Sequence, residues 1–493
     1  MNKIGVSGCS FIDETGRERI FNGVNLIYKG NDVEGQTRRN YYPNGWNDEL
    51  FAKLEALGIN LVRLGLIWDG VEPEPGVYDE EYLDFLSGIA DKLKEHNIYF
   101  YLDIHQDLYS HVFGGDGAPA WAVISDSYKY RPAKFIWAEG YFFSKAVHRS
   151  FDHFWNNDPI LGKGLQDWFA DMWKHVAERF KDKENLLGYD IFNEPFPGTD
   201  GGKTFKAIVK SGVKTVMSPK IKKIKALKNI ITGDTFSEAL AVIDDRDVFR
   251  SITKGGDLYI KNFDASKYYP FFKRVSEAIR QTTDNGVIIM ENCYYSNLNI
   301  PCSTPRLKYN DGTKEKKLAF APHGYDLTVD TVLTNTASNA RVDTIFDAHG
   351  ETQERLGVPV IVGEWGGMVP GSDEYPHLEH LLEKFDNNKW SQTYWAYFDG
   401  LEDTKIMDII ARPYPMAVPG EIECYGFDRK TNTFTLKFRT DNAGKAKATV
   451  YAPKKPDEII SEGKTSVKKI GTDRGVLVSV SPVKGENTVS FKI

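Results

Sequence analysis

The chain has 493 residues, 41% of them hydrophobic, so it can bury a large core, and its length suits two or three domains or one large barrel with an appendage. A formal charge of −7 argues against nucleic acid as a partner, because a surface that tracks phosphates is basic. No apolar run approaches the roughly 20 residues needed to span a membrane, and Met1-Asn2-Lys3 opens a polar segment rather than a signal peptide.

The segment Phe21–Leu26 reads as a first strand, followed by a helical pattern at Leu50, Phe51, Leu54 and Leu57 that Gly58 caps. Next come a strand Asn60–Gly65, a helix from about Glu80 to Glu95, and a strand Tyr99–His105. This alternation predicts a parallel sheet with crossover helices. A long excursion, about 106–160, then interrupts it, with eleven aromatics from Trp121 to Trp155. So apolar a loop is not disordered; it is either a binding wall or a helical insert packed on the barrel. A helix Leu165–Lys181 leads to the run Gly188–Phe192, which stops at Asn193-Glu194-Pro195, the proline ending the pairing pattern. A second excursion, about 196–267, carries nine lysines between Lys203 and Lys228, with Phe205, Ile208, Val209, Val213, Val216, Ile221, Ile224 and Leu227 among them. It reads as a solvated face or, alternatively, as a basic amphipathic surface that rests on an anionic membrane or lipid aggregate.

The rhythm resumes with a helix Phe271–Thr282 and the strands Val287–Glu291 and Leu318–Tyr325. A helix around Val342–Leu356 precedes the strand Pro359–Val362 with its tip Gly363-Glu364-Trp365, and a helix Leu378–Phe385 precedes a last strand, Ser391–Phe398. Eight strands with helices between them predict an α/β fold, a (β/α)8 TIM barrel over residues 1–410. Beyond Arg412, Pro413, Pro415 and Pro419 read as a stiff joint. After it Phe434, Leu436 and Phe438 alternate, as do Val476, Val478 and Val480, which predicts a small β-sandwich over 411–493. The four cysteines, Cys9, Cys293, Cys302 and Cys424, are too few for a disulfide scaffold and fit no zinc spacing, though Cys293 and Cys302 are close enough in sequence to bridge. The expected product is a soluble protein, secreted after removal of a leader, with a cytoplasmic location as the alternative.

In a parallel barrel the strand C-termini open on one face, and polar residues there are catalytic candidates. In chain order they are Arg63, His105, Asn193, Glu194, His323, Tyr325, Glu364 and Trp395. Each taken alone is as readily a structural hydrogen bond or a core side chain; eight of them at six strand ends are not. Two carboxylates at such tips suit cleavage of a glycosidic bond, one protonating the leaving oxygen and the other attacking the anomeric carbon, at a separation of roughly 5–5.5 Å.

Asn193-Glu194-Pro195 and Gly363-Glu364-Trp365 resemble the two signatures of glycoside hydrolase family 5, and the resemblance extends from about Phe21 to Phe398. It implies a retaining mechanism with Glu194 as acid/base and Glu364 as nucleophile. Asn193 would bond the sugar hydroxyl next to the anomeric carbon, Tyr325 and Arg63 would keep Glu364 ionised, His105 and His323 would line the cleft, and Trp395 would stack under the sugar. Asp103-Ile104-His105-Gln106-Asp107, Gly115-Asp116-Gly117-Ala118-Pro119-Ala120-Trp121 and Phe151-Asp152-His153-Phe154-Trp155-Asn156 resemble, more narrowly, the endoglycoceramidases, enzymes that release an intact glycan from ceramide. By that resemblance Lys29 and Asp107 bond the first sugar, no cofactor or metal is needed, and the partner is a glycosphingolipid met in transient contact with a membrane or micelle by a monomeric enzyme. The lysine-rich insert departs from the family, which leaves the glycan series open between glucosylceramide-linked and 6-linked galactosylceramide-linked forms. The alternatives are a family 5 β-glucanase of cellulase or mannanase type, cleavage of glucosylceramide itself, and a binding module on an inactive barrel.

Overall fold

The computed structural model describes residues 1–35, 38–134, 136–218, 240, 242–329, 331, 334–368, 370–371, 375–441, 443, 446–471 and 474–493. Eight strands between Asn22 and Tyr394 make one sheet. Its order is Leu318–Ala321, Val287–Glu291, Leu186–Asp190, Tyr99–His105, Leu61–Ile67, Asn22–Leu26, Ser391–Tyr394, Ile361–Val362. Every pairing in it is parallel. A parallel bridge from Phe320 to Val360 and the pairing of His323–Gly324 with Glu364–Trp365 join the two outer strands, and the barrel closes.

The crossover helices form for local reasons. Helix Glu80–Glu95 starts at Asp79, whose side chain accepts the Tyr82 N–H; it carries Glu80 and Glu81 in its first turn and Lys92 and Lys94 in its last. Its buried face is Tyr82, Leu83, Leu86, Ile89, Ala90 and Leu93, the stripe that a 3.6-residue period lays against a sheet. Inside the barrel the two-residue period of each strand grades the lining from apolar floor to polar rim. Leu61 lies below Arg63, Val287 and Ile289 below Glu291, and Ala319 and Ala321 below His323. A second apolar cluster formed by Phe21, Leu61, Tyr99, Tyr101, Leu187 and Val287 fills that floor, and Ile4 and Phe11 plug it from beneath.

The C-terminal residues form two packed sheets of antiparallel strands. One has four strands, Glu421–Asp428, Thr433–Thr440, Gly485–Lys492 and Ile459–Ser461. The other has seven, and three of them come from the opposite end of the chain: Ile4–Ser7, Ser10–Asp13 and Arg17–Arg19. Arg17–Arg19 pairs with Tyr414–Pro419, so the stiff joint expected at the prolines is itself a sheet strand. Proline, which lacks a ladder N–H, is accommodated because the register shifts between Pro415 and Ala417 and because Pro419 ends the strand.

The aromatic excursion divides between its two readings. Helix Lys145–Trp155 buries Phe151, Phe154 and Trp155 against the barrel helices, with the Phe154 and Phe169 rings 5.6 Å apart, whereas the segment before it faces the cavity described below. In the lysine-rich insert, helix Thr199–Val216 carries Lys203, Lys206, Lys210 and Lys214 exposed. The five lysines from Lys220 to Lys228, together with Ile221, Ile224 and Leu227, lie outside the described residues. Cys293 and Cys302 are buried free thiols, not a bridge.

Candidate active site

The C-terminal rim of the barrel opens into a cavity of about 420 Å³. Lys29, His105, Asp107, Asn193, Glu194, Tyr325, Glu364 and Trp395 line it, which gathers eight of the ten residues singled out from the sequence. Arg63 and His323 do not reach its surface; both are buried beneath it, at 0% and 1% exposure, and act on the lining residues from behind.

Glu194 and Glu364 follow strands that two others separate in the barrel, Val287–Glu291 and Leu318–Ala321, and one carboxylate oxygen of each lies within 4.8 Å of the other and of a His323 ring nitrogen. His323 Nδ1 lies 3.0 Å from Glu194 Oε1 and 3.5 Å from Glu364 Oε2. Glu364 accepts hydrogen bonds from Arg63 Nη1 at 2.7 Å and from the Tyr325 hydroxyl at 2.8 Å, one on each oxygen. Gly363 makes the stacking of His323 beneath this tip feasible: a Cβ there would stand 2.8 Å from the imidazole Nε2.

Glu194 sits in a held turn. Its φ of +43° is in the left-handed region that side chains other than glycine adopt rarely. Gln106 Nε2 donates to the Asn193 carbonyl at 2.9 Å, and Asn193 in turn donates from Nδ2 to the Gln106 carbonyl at 3.0 Å and accepts from Arg63 Nη2 at 2.9 Å. Asn297 Nδ2 donates to Glu194 Oε1 at 2.7 Å. Burial raises the Glu194 pKa; the hydrogen bond from His323 opposes the rise and the charge of Glu364 adds to it.

Beneath the pair, Arg63 faces four carboxylates. Besides Glu364 they are Glu291 at 2.6 Å, Asp103 at 3.0 Å and Asp190 at 3.1 Å. His323, whose pKa burial would lower, is instead raised well above its ordinary value by Glu291 and Glu364. Toward the open side, Lys29 bonds Asp107, and its ammonium lies 5.0 Å from the centre of the Trp395 ring. His105 stacks on Trp395 with ring centres 5.2 Å apart and meets Asp103 at 2.9 Å. Burial works against a charged His105, but its bonds to Asp103 and Asp107 raise its pKa to about 10. The loop returns from Asp107 to Asp116 through a two-way backbone bridge, with Gly115 at the close approach, where a Cβ would be 1.9 Å from the Asp107 carbonyl oxygen. Of the three carboxylate and histidine groupings among the described residues dense enough to hold a cation, one surrounds the Arg63 guanidinium and one carries the Lys29 ammonium, so a protein cation already stands in both.

The lining is mixed in character. Besides the charged groups it includes Ile136, Trp137, Phe142, Leu298, Leu327 and Val329, and the Trp137 ring centre stands 6.0 Å from the Lys29 ammonium. Sequence reasoning did not single out Glu291, Asn297, Asp103 or Asp190. Glu291 closes an apolar strand as Glu194 does, but without the proline that marks the tip; Asn297 lies in a short 3-10 helix, Tyr294–Leu298, and gave no signal.

The sequence profile described as Cellulase (glycosyl hydrolase family 5) matches residues 22–247 and 259–400, and that of the glycoside hydrolase family 5 C-terminal domain matches 412–490. An endoglycoceramidase from Cyanea nozakii is 29% identical over 468 residues, covering 87% of this chain and 79% of its own. Among solved structures, endo-glycoceramidase II from Rhodococcus sp. in complex with ganglioside GM3 superposes with a TM-score of 0.74 at 24% identity over 99% of both chains. An endogalactoceramidase does so with a TM-score of 0.70 at 19% identity over 100% of both.

Proposed function

Because the chain belongs to glycoside hydrolase family 5, we propose that it is a retaining endo-acting hydrolase that cleaves the β-glycosidic bond between an oligosaccharide and ceramide in glycosphingolipids. The observation that carries this reading is a close carboxylate pair on a cavity whose lining combines charged residues with large apolar ones. A contact within 4.8 Å suits a carboxylate that attacks directly; an inverting enzyme keeps its carboxyl groups roughly 6.5–9.5 Å apart to admit a water.

In the first half-reaction a Glu364 oxygen attacks the anomeric carbon while Glu194 gives its proton to the glycosidic oxygen, so ceramide leaves as an alcohol and the glycan is esterified to Glu364. In the second, the Glu194 carboxylate takes a proton from water, the oxygen of that water bonds to the anomeric carbon, and Glu364 departs; two inversions leave the β configuration. Arg63 and Tyr325 bond one oxygen each of Glu364 and fix the orientation of the nucleophile. Burial favours the protonated acid at Glu194. Lys29, Asp107, His105 and Asn193 offer donors and acceptors to the sugar, with Trp395 as its stacking face. The wall of Ile136, Trp137, Phe142 and Val329 takes the lipid.

A substrate anchored by its tails is met at a membrane or micelle surface. Exposed Phe143, Val209, Val213 and Met217, on and beside the helix that displays Lys206, Lys210 and Lys214, support such a transient contact. In this reading the enzyme acts outside the cell in sphingolipid breakdown, as a single chain that carries the whole cavity. Among the described residues no helix is long and apolar enough to cross a membrane.

The test is a detergent-assisted digest of three lipids, read by mass spectrometry: a glucosylceramide-linked ganglioside, a 6-linked galactosylceramide oligosaccharide lipid, and plain glucosylceramide. Release of intact oligosaccharide and ceramide from either of the first two is expected and selects the glycan series. Glu364→Gln should lower that turnover by about 10⁴-fold or more. Release of sugar only from soluble β-glucan would overturn the lipid reading, and near-full turnover by Glu364→Gln would overturn the mechanism.

A further inference from the structure

The strand Val287–Glu291 ends in a carboxylate to which the two half-reactions give no part. Glu291 is 1% exposed and lies outside the cavity lining, yet its two oxygens meet three groups of the machinery. Oε2 accepts the backbone N–H of Glu194 at 2.7 Å. Oε1 accepts from Arg63 Nη2 at 2.6 Å and lies 3.3 Å from His323 Nε2.

The bland account makes Glu291 a counter-ion for Arg63. That account is insufficient, because Asp103 and Asp190 also pair with the guanidinium, at 3.0 and 3.1 Å, and Glu364 does so at 2.7 Å. Neither aspartate takes the Glu194 amide. That amide belongs to a residue at φ +43°, a conformation unfavourable outside glycine, which persists where the surroundings over-determine it. Gln106 holds the carbonyl side of the same turn, at Asn193, and Glu291 holds its N–H side. The second contact bears on His323. Its Nδ1 faces Glu194 at 3.0 Å while its Nε2 faces Glu291, so the ring is clasped between two carboxylates. Charge supports the geometry: burial alone would raise the Glu291 pKa, but His323 and Arg63 outweigh it and hold the group ionised.

We propose that Glu291 is a positioning residue for the acid/base. It fixes the main chain of Glu194 in its left-handed turn with one oxygen, and with the other it orients His323 between the two reacting carboxylates. The inference rests on the reading of Glu194 as acid/base.

An ionised carboxylate offers acceptors on both oxygens; the Glu194 amide and Arg63 donate to them, and the His323 ring stands 3.3 Å from Oε1 as a charged neighbour. A glutamine in its place turns one acceptor into a donor, so whichever way the amide faces, an N–H opposes the Glu194 amide or opposes Arg63 and His323. The consequence falls on proton delivery, which needs heavy atoms within about 2.6–3.2 Å. Ceramide is an alkyl leaving group and cannot depart without that proton; a dinitrophenolate can.

The experiment compares kcat/KM of wild type, Glu291→Gln and Glu194→Gln on a glycosphingolipid and on a dinitrophenyl β-glycoside of the same first sugar. For Glu291→Gln both rates should fall, with the glycosphingolipid falling about 10-fold or more further than the aryl glycoside. Because both substrates sample the same folded fraction, partial unfolding cannot produce that split. An equal fall on both substrates overturns the inference, as does unchanged glycosphingolipid turnover. Glu194→Gln should show the same split in larger form; if it shows none, the acid/base reading itself fails and takes this inference with it.

Discussion

Glu194 has to hold a proton in one half-reaction and release it in the next, and its setting biases it toward the protonated form. Its folded pKa lies above the ordinary 4.5 because of burial, against the pull of His323. A group with a raised folded pKa favours the fold below its unfolded value, and that contribution is lost as pH rises through the folded value. Glu194→Gln stays neutral throughout, so it should match wild type in thermal melts near pH 4 and melt at a higher temperature than wild type at pH 8, while losing glycosphingolipid turnover. The alkaline limb of wild-type kcat/KM should report the same group. At this scale the sequence displayed residues that end apolar runs before a proline or a glycine, which is how Glu194 and Glu364 stood out. It hid Asp103, Asp190 and Glu291, since a carboxylate within a strand or at its unbroken end looks like strand edge until Arg63 is placed across the barrel to meet it.

The segment 106–160 is the element in which one composition serves two tasks. Apolar spacing marked it as ordered, but a buried helix and a cavity wall are written with the same aromatics, and only position separates Phe154, packed on Phe169, from Trp137, which stays 44% exposed at the cavity. The wall makes a prediction of its own. Trp137→Ala removes a large aromatic surface from the side assigned to the lipid. It should raise KM for a long-chain glycosphingolipid by about 10-fold, a loss near 1.4 kcal/mol, and leave KM for a tail-less aryl glycoside within about twofold. Equal effects on both substrates would reassign the wall to the sugar.

Across the whole molecule, the barrel was legible because eight apolar strands recur with helices between them, and the sandwich because its strands alternate. The hairpin 4–19 was not, for its neighbour is remote: Arg19 bonds the Met416 carbonyl 397 residues away. The union of the two units is guarded by a buried pair. Arg412 donates from Nε to Asp386 at 2.8 Å, both side chains are 4% exposed, and Arg412 also reaches Asn22 on the first barrel strand. Asp386→Ala would leave that guanidinium without its carboxylate, so denaturant unfolding should show a loss of about 3–5 kcal/mol. A loss below about 1 kcal/mol would mean that the sheets alone hold the units together.

The hairpin beneath the barrel also sets an order of events at the ribosome. Its strands are made long before the strand that flanks them, Tyr414–Pro419. At about 5–20 residues per second the wait is roughly 20–80 s, during which Arg17–Arg19 presents an unpaired edge and the barrel floor lacks a settled plug in Ile4 and Phe11. Maturation is thus gated by synthesis of Tyr414–Pro419. A nascent chain arrested after its last barrel strand would carry both glutamates and still display a sticky edge, open to pairing with its neighbours on the same message.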